Sequence, residues 1–142
     1  MFSKACEYGI RAVFFIAKQS HKGLRSNISE IAKAVDSPEP FTAKICQELA
    51  RGKIILSKKG PNGGFYLKKD AEIKLSQIVK AIDGDQIFTS CALGLNSCSS
   101  TNPCPLHNQF VDVRNGLKKM CENTLVMELA PEIEANEFYL KI

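Results

Sequence analysis

Three cysteines lie close together in a stretch that has no helical or strand periodicity. Cys91, Cys98 and Cys104 are separated by six and five residues, among Gly, Asn, Ser and Pro. This spacing is not the paired CxxC pattern of a zinc finger. Thiolates are soft ligands, and three of them on one loop can close around a compact metal centre. The pattern predicts a metal-binding loop over residues 86–104 that takes a fourth ligand from elsewhere.

His107 is the nearest candidate for that fourth ligand. We expect Cys104 to be the N-cap of a helix with Pro105 at its first position, which would bring Cys104 and His107 one turn apart on the same side. The helix N-terminus would also stabilise a thiolate at Cys104. Glu7 is the alternative ligand, if the first helix packs on the loop of a partner subunit. From the residues alone, zinc competes with an iron–sulfur cluster for this ligand set.

The other cysteines fall in amphipathic helical patterns. They are predicted to be small core residues: Cys6, Cys46 and Cys121. The first twenty residues contain charged side chains rather than a signal-peptide pattern, and no apolar run reaches the ~20 residues needed to cross a bilayer. We therefore expect a cytoplasmic protein with no membrane partner. In a reducing cytosol, clustered cysteines indicate metal binding or redox chemistry more than disulfides.

Charge is distributed unevenly along the chain. Residues 1–70 contain 13 Lys/Arg and 6 Asp/Glu, whereas residues 71–142 contain 6 Lys/Arg and 9 Asp/Glu. The first half is thus strongly basic, although the net charge of the chain is only +4. Lys and Arg near phosphates release condensed counterions, so a basic half is what a polyanion-binding surface requires. Solvated charge without a function is the alternative explanation.

Helical patterns fill the first fifty residues. Residues 4–19 carry apolar side chains in two stripes, so the first helix is predicted to pack both on its own domain and on a partner subunit. Asn27 and Glu30 have the spacing of a capping box and begin a short second helix. Ser37 is expected to cap a third helix, with Pro38 at its first position.

The third helix has one apolar side and one polar side. The apolar side is predicted to face the core with Phe41, Ile45 and Leu49. The polar side is predicted to face outward with Thr42, Lys44 and Gln47. After this helix, residues 54–57 and 65–67 are predicted to be the strands of a hairpin with a basic, glycine-rich tip, and residues 75–83 to be a further helix.

Two short helices followed by such a hairpin indicate a winged helix-turn-helix, in which the second helix enters the major groove of DNA. The fold class predicted is mainly α with a small β-hairpin wing. The lysines of the hairpin supply charge, and its glycines let the backbone approach a phosphate closely. The predicted DNA contacts are Ser37, Pro40, Thr42, Lys44 and Gln47 near the third helix, and Lys58, Lys59, Asn62 and Gly63 in the wing.

A seam typical of a coiled-coil-like helix begins after Pro105. Its apolar positions alternate by four and three residues: Leu106, Phe110, Val113, Leu117, Met120, Thr124 and Met127. Such a helix usually pairs with a second copy, although it can also fold back on its own domain. The predicted organisation is a DNA-binding domain over 1–85, a cluster-binding loop over 86–104, a dimerisation helix over 105–130 and an acidic tail over 131–142.

Three motifs together resemble the Rrf2 family of winged-helix regulators, which includes IscR-like iron–sulfur regulators and NsrR-like nitric oxide sensors. They are EYGIRA at residues 7–12, KGPNGGF at residues 59–65, and the three cysteines followed by PLH at residues 105–107. The resemblance covers about residues 1–130. It implies a homodimer joined through the C-terminal helix that reads a pseudo-palindromic operator in double-stranded DNA.

The resemblance also implies an iron–sulfur cofactor. In IscR-like members, three cysteines and a histidine placed like His107 hold a two-iron cluster, the form favoured here. In NsrR-like members, an acidic residue placed like Glu7 in the other subunit completes a four-iron site. Two departures are present: the first cysteine gap is six residues where the family has five, and Pro40 and Ala43 stand where IscR-like members have polar residues.

The sequence therefore predicts a homodimeric DNA-binding regulator that senses redox state, nitric oxide or iron–sulfur status. The alternatives are a zinc-bound or thiol-based winged-helix regulator and a small iron–sulfur redox protein that does not bind DNA. The chain has only two histidines, and no nucleophile, base and orienting partner are arranged for catalysis. Neither enzymatic activity nor a small-molecule substrate is expected.

Overall fold

The computed structural model describes residues 1–135, 139 and 140. Within this part the chain forms helices and one two-stranded antiparallel hairpin. The helices are α1 (Lys4–His21), α2 (Ile28–Val35), α3 (Glu39–Arg51), α4 (Leu75–Asp83), α5 (Gln86–Thr89), α6 (His107–Asn123) and α7 (Val126–Glu134). The strands are β1 (Leu56–Lys58) and β2 (Gly64–Tyr66). This architecture confirms the predicted class, mainly α with a hairpin wing.

Helix α1 lies at the centre of the fold. Ser3 caps it by accepting a hydrogen bond from the Cys6 backbone N–H, and α2, α3, α4 and α7 all pack against it. Contact with α4 is closest at Gly9, where an added Cβ would lie 2.2 Å from the Ile82 side chain. The packing of α7 on α1 within the same chain was not predicted from the sequence.

The helix-turn-helix begins as predicted but its second helix starts one residue later. Asn27 and Glu30 form the capping box of α2, and Asp36 ends that helix with a left-handed φ of 55°. The expectation that Ser37 caps the next helix is wrong. Pro38 is the N-cap and keeps an extended ψ of 136°, so the helical turn begins only at Glu39 and the Ser37 hydroxyl precedes the free N–H groups.

The wing is attached to the helix-turn-helix through its backbone. Its register pairs Leu56 with Tyr66 and Lys58 with Gly64. Ser26 and Phe65 exchange two backbone hydrogen bonds of 3.0 and 2.8 Å, immediately before α2. A Cβ at Gly64 would lie 2.7 Å from the Ser26 carbonyl oxygen, and its φ is +138°, so only glycine fits this close approach.

We expected one helix over residues 105–130, and the structure instead has two. The break comes at Thr124, which adopts an extended ψ of 110°. Its carbonyl accepts the Leu75 N–H at 3.0 Å, and the Val126 N–H donates to the Ile73 carbonyl at 2.9 Å. Pairing with the segment before α4 thus replaces helical bonds and turns α7 back onto α1.

Helix α7 continues through Pro131 to Glu134, where the acidic tail over 131–142 was expected. Burial of Val126, Ala130 and Ile133 accounts for this, because one apolar face docks on the core. Residues 136–138, 141 and 142 of that tail lie outside the described residues. Within the described part, no helix is both long enough and apolar enough to cross a membrane.

The side chain of Cys46 is fully excluded from solvent, and this burial should make the stability of the protein depend on pH. Burial raises the pKa of this thiol from 9.0 to about 11. Because the folded pKa lies above the unfolded one, the contribution of Cys46 is fully present below pH 9 and is lost as the pH rises toward 11.

We therefore expect the unfolding free energy of the native protein to fall more between pH 8 and 10 than that of Cys46→Ala. The difference between the two decreases should be about 1 kcal/mol. Urea unfolding of both proteins at the two pH values measures the difference. Parallel losses in the two proteins would contradict the assignment.

Candidate metal centre and nucleic-acid interface

Cys91 follows directly after α5 and is 7% exposed. Hydrogen bonds from the backbone N–H groups of Leu93 and Leu95 lower the pKa of its thiol, with smaller contributions from the Cys104 side chain and the positive charge of Arg114. A sulfur held by backbone donors is stabilised as the thiolate, which is the form that binds metals. The loop therefore presents Cys91 as a ligand with its surroundings already arranged.

Cys98 and His107 form the second contact in this region. The Cys98 Sγ lies 3.3 Å from the His107 Nδ1, so the thiol and the imidazole share a hydrogen bond across nine residues. Both side chains are half-buried or partly exposed rather than in the core. The loop thus folds back so that its middle cysteine meets the first residue of α6.

Cys104 does not cap α6, which corrects the expectation. The helix begins at His107, with Leu106 as N-cap, and the His107 N–H donates to the Cys104 carbonyl at 3.0 Å across a tight turn. Cys104 therefore precedes the helix instead of standing one helical turn below His107. Burial raises the pKa of its thiol, and the nearby Cys91 and Cys98 add to this effect.

The four candidate ligands are thus brought together in one region, where Cys98 contacts His107 and Cys104 lies near both Cys91 and Cys98. Within residues 1–135, 139 and 140, no three His, Cys, Asp or Glu side chains surround a single point at which one metal ion could sit. A tetrahedral zinc ion needs all its ligands around one point. In a two-iron cluster each iron takes two protein ligands, as the two-histidine iron of a Rieske centre illustrates. Three thiolates and one imidazole supply the four protein ligands of such a cluster.

Glu7 is not brought to the loop cysteines of its own chain. Its carboxylate pairs with Lys4 at 2.7 Å, and its side chain remains 40% exposed. The hydrogen bond from Lys4 lowers the pKa of this carboxyl. Glu7 is therefore ionised and accessible.

The remaining cysteines are in the core, as predicted: Cys6, Cys46 and Cys121 are fully excluded from solvent. Burial raises the pKa of each thiol, to about 12 for Cys6, where the neighbouring Asp83 carboxylate adds to the effect. A protonated, inaccessible thiol is neither a metal ligand nor a nucleophile. The six cysteines therefore divide into three of the loop and three of the core.

Helix α3 presents a narrower polar face than the sequence indicated. Pro40, Lys44 and Gln47 are exposed, as expected of contacts to DNA. Thr42 is only 2% exposed and its hydroxyl donates to the Pro38 carbonyl at 3.0 Å, so the prediction that it faces outward is wrong. The reason is rotational: the buried stripe runs through positions 42, 45, 46 and 49, and Phe41 sits at its edge.

Ser37 is also less available than expected. Its hydroxyl oxygen is buried and has no hydrogen-bond partner in the part of the chain that the structure describes. The hydroxyl therefore cannot reach a phosphate or a base edge without a local rearrangement.

The wing places its cations at the surface. Lys58, Lys59 and Asn62 are exposed, whereas Gly63 is half-buried and its N–H donates to the Gly60 carbonyl at 2.9 Å. A Cβ at Gly63 would lie 2.1 Å from the Lys58 carbonyl oxygen. Gly63 is thus needed to close the hairpin turn, and this turn keeps the lysines at the surface.

Arg25 belongs to the same basic surface and was missed from the sequence. Its Nη1 donates to the Asn62 carbonyl at 3.4 Å, and its guanidinium carbon lies 5.4 Å from the centroid of the Tyr66 ring. These contacts join residues about forty positions apart, so no local pattern could have revealed them. The surface of the wing therefore carries three exposed cations, Arg25, Lys58 and Lys59.

Comparison with known proteins identifies a family that matches most of the chain. The model of the Rrf2 family, described as iron-dependent transcriptional regulators, matches residues 2–132. The chain is 29% identical over 105 residues to the HTH-type transcriptional regulator NsrR of Oceanobacillus iheyensis, across 72% of this chain and 71% of the relative.

Solved structures show the same fold. CymR of B. subtilis, described as the global cysteine regulator, superposes with a TM-score of 0.73 at 19% identity, covering 93% of this chain and 97% of that one. The IscR of T. potens superposes with a TM-score of 0.72 at 16% identity, covering 97% of this chain and 91% of that one. These likenesses confirm the predicted winged-helix fold.

Proposed function

The chain belongs to the Rrf2 family of iron-dependent transcriptional regulators, and we propose that it is a homodimer whose binding to duplex DNA responds to an iron–sulfur cluster. The family confirms the prediction of a regulator over an enzyme. The observation that carries the cluster proposal is the Cys98–His107 contact of 3.3 Å beside the Cys91–Cys104 pair. The predicted DNA-binding domain, cluster loop and dimerisation helix are retained in this proposal.

Cys91, Cys98, Cys104 and His107 would hold the cluster, and this set of three cysteines and one histidine favours the two-iron form. A bound cluster would supply one-electron redox chemistry and a centre that oxidants, nitric oxide or iron shortage could alter. A four-iron form that also uses Glu7 of a second copy remains the alternative, since that carboxylate is ionised and exposed.

Binding of a cluster by the four ligands would change the position of the DNA-facing helices through direct helix contacts. Cys91 lies at the end of α5, and His107 opens α6, so drawing the four ligands together holds these two helices at one spacing. Helix α4 packs on both α6 and α3. A change in the placement of α6 therefore acts through α4 on α3, the helix that would enter the major groove. DNA binding is coupled to cluster binding if the cluster-loaded and cluster-free proteins hold the two α3 helices of a dimer at different spacings.

A second copy of this chain is the proposed occupant of the free face of α6. Leu106, Val113 and Met120 are spaced by seven residues and are 46%, 67% and 48% exposed. The opposite side of α6 packs on α4 and α5, with Cys121 fully buried. A Cβ at Gly116 would meet no atom within 4 Å. An exposed heptad stripe beside an uncovered glycine suits close packing of two helices.

Duplex DNA is proposed to contact the exposed residues of α3 and the three cations of the wing. Pro40, Lys44 and Gln47 supply a surface for the major groove. The basic first half of the chain provides the salt-dependent part of the affinity. We propose a pseudo-palindromic operator, because a two-fold dimer presents two α3 helices to DNA, and a cytoplasmic location, where such DNA lies.

The cluster proposal is tested with anaerobically isolated native protein, Cys98→Ser and the control Cys46→Ala, which removes a core thiol. We expect native protein and the control to contain iron and sulfide and to absorb visible light, and Cys98→Ser to have lost both, because one ligand is lost. Iron and sulfide analysis with electron paramagnetic resonance measures this. Zinc without iron in the native protein would favour the zinc-bound regulator instead.

The same preparations test the switch. A duplex selected by the loaded protein from a random pool, and labelled for fluorescence anisotropy, should bind the loaded and metal-free forms with affinities that differ about tenfold, within the usual range of allosteric coupling. Equal affinities for that duplex would overturn the sensor proposal even if iron is present.

The wing contributes charge to the complex, so Lys59→Ala should weaken binding and reduce the dependence on salt. We expect the slope of log affinity against log salt concentration to fall by about one unit, since one phosphate contact is lost. Lys119→Ala, an exposed cation on α6, is the matched control and should leave the slope unchanged. An equal slope for Lys59→Ala and native protein would remove the wing from the interface.

Dimerisation through α6 predicts that Val113→Glu gives a monomer, because it places a charge in the proposed apolar seam. Asn115→Glu introduces the same charge at an exposed position away from the stripe and should remain dimeric. Sedimentation velocity over a range of protein concentrations separates the outcomes. A dimeric Val113→Glu protein would show that the subunits meet elsewhere.

A further inference from the structure

Arg114 connects the two ends of the cysteine loop. It lies on α6, seven residues or two turns after His107. Its Nη1 donates to the Thr89 carbonyl at 3.2 Å and to the Ser90 carbonyl at 3.0 Å. These are the last carbonyls of α5, which have no partner within their own helix. The next residue in the chain is Cys91.

One N–H group of the Arg114 guanidinium has no hydrogen-bond acceptor among the described residues. This group is the Nε–H, which is buried. A buried N–H of a charged group left without an acceptor is costly. A donor in this position is available to an acceptor that the described part of the chain does not supply. Sulfur atoms of a loaded thiolate site are such acceptors, and hydrogen bonds of this kind tune metal centres.

We propose that Arg114 is a positioning residue of the metal centre, which holds Cys91 at a set spacing from His107 and adds a positive charge beside the loaded ligands. This inference rests on the proposed function. Arginine suits the role because one planar group bonds two carbonyls and keeps a further N–H in a fixed direction. Lysine would supply a charge without that geometry. Arg114 is also the only arginine after residue 51.

The experiment compares Arg114→Lys, which keeps the charge, with Arg114→Met, which keeps a long chain without charge or hydrogen bonds. Lys119→Met is the control, because Lys119 is exposed on the same helix. Hydrogen exchange is measured first on metal-free protein. Both Arg114 variants should exchange the amides of residues 86–95 about tenfold faster than native protein, since charge-assisted bonds to α5 are lost. Exchange in α2 and α3, and in the control throughout, should not change.

The second measurement is the reduction potential of the reconstituted cluster, followed by visible absorbance. Arg114→Met should shift the potential downward, because a nearby positive charge favours the reduced and more negative state. Arg114→Lys should shift it less. If Arg114→Met does not fold, the Lys variant and the exchange data on it still decide the positioning role.

The outcomes separate this inference from the proposed function. Unchanged exchange over residues 86–95 in both Arg114 variants would overturn the positioning role, whether or not native protein binds iron. Faster exchange with an unchanged potential in Arg114→Met would overturn the charge contribution. If native protein never takes up a cluster, the proposed function fails, while the exchange result still reports whether Arg114 holds the segment that carries Cys91.

Discussion

Burial of α1 is the constraint on which the rest of the structure depends. Helices α2 and α3 pack on one part of its surface, and α4 and α7 pack on another. Gly9 lets the side chain of Ile82 of α4 lie where a Cβ at position 9 would force it to move. Arg11 reaches from α1 to the Val35 carbonyl at the end of α2, at 3.2 Å. Because interiors are close-packed, we expect a displacement of α6 or α7 to be transmitted to α2 and α3 rather than absorbed.

The cysteines show how one residue type acquires two roles within this framework. Cys46 and its two core companions are kept protonated by desolvation, which makes them packing residues. Cys91 lies in the loop after α5, outside the helices that form the core. Backbone N–H groups of that loop stabilise its thiolate. The difference arises from the loop, whose turns point amide donors at a sulfur, whereas helical amides are already bonded to carbonyls. The cysteine ligands are thus confined to the segment between α5 and α6.

Local signals in the sequence were accurate where the physics is local. The capping box of Asn27 and Glu30, the glycine-rich hairpin and the end of α4 at Gly84 follow from contacts between residues near in the chain. The errors share a different origin. Thr42 was assigned to the wrong face because a shift of one position in a helix rotates the stripe by about 100°. The helix expected over 105–130 is broken by pairing with residues fifty positions earlier.

The sequence by itself determined the winged-helix class and the division of the cysteines between loop and core, because periodicity and spacing encode these directly. It left the fourth candidate ligand open between His107 and Glu7. Only the tertiary structure decided that Cys98 meets His107, that Arg25 joins the wing and that Arg114 bridges α5 and α6. Each of these contacts joins distant parts of the chain. Such contacts depend on how helices dock around α1, and a linear pattern does not contain that geometry.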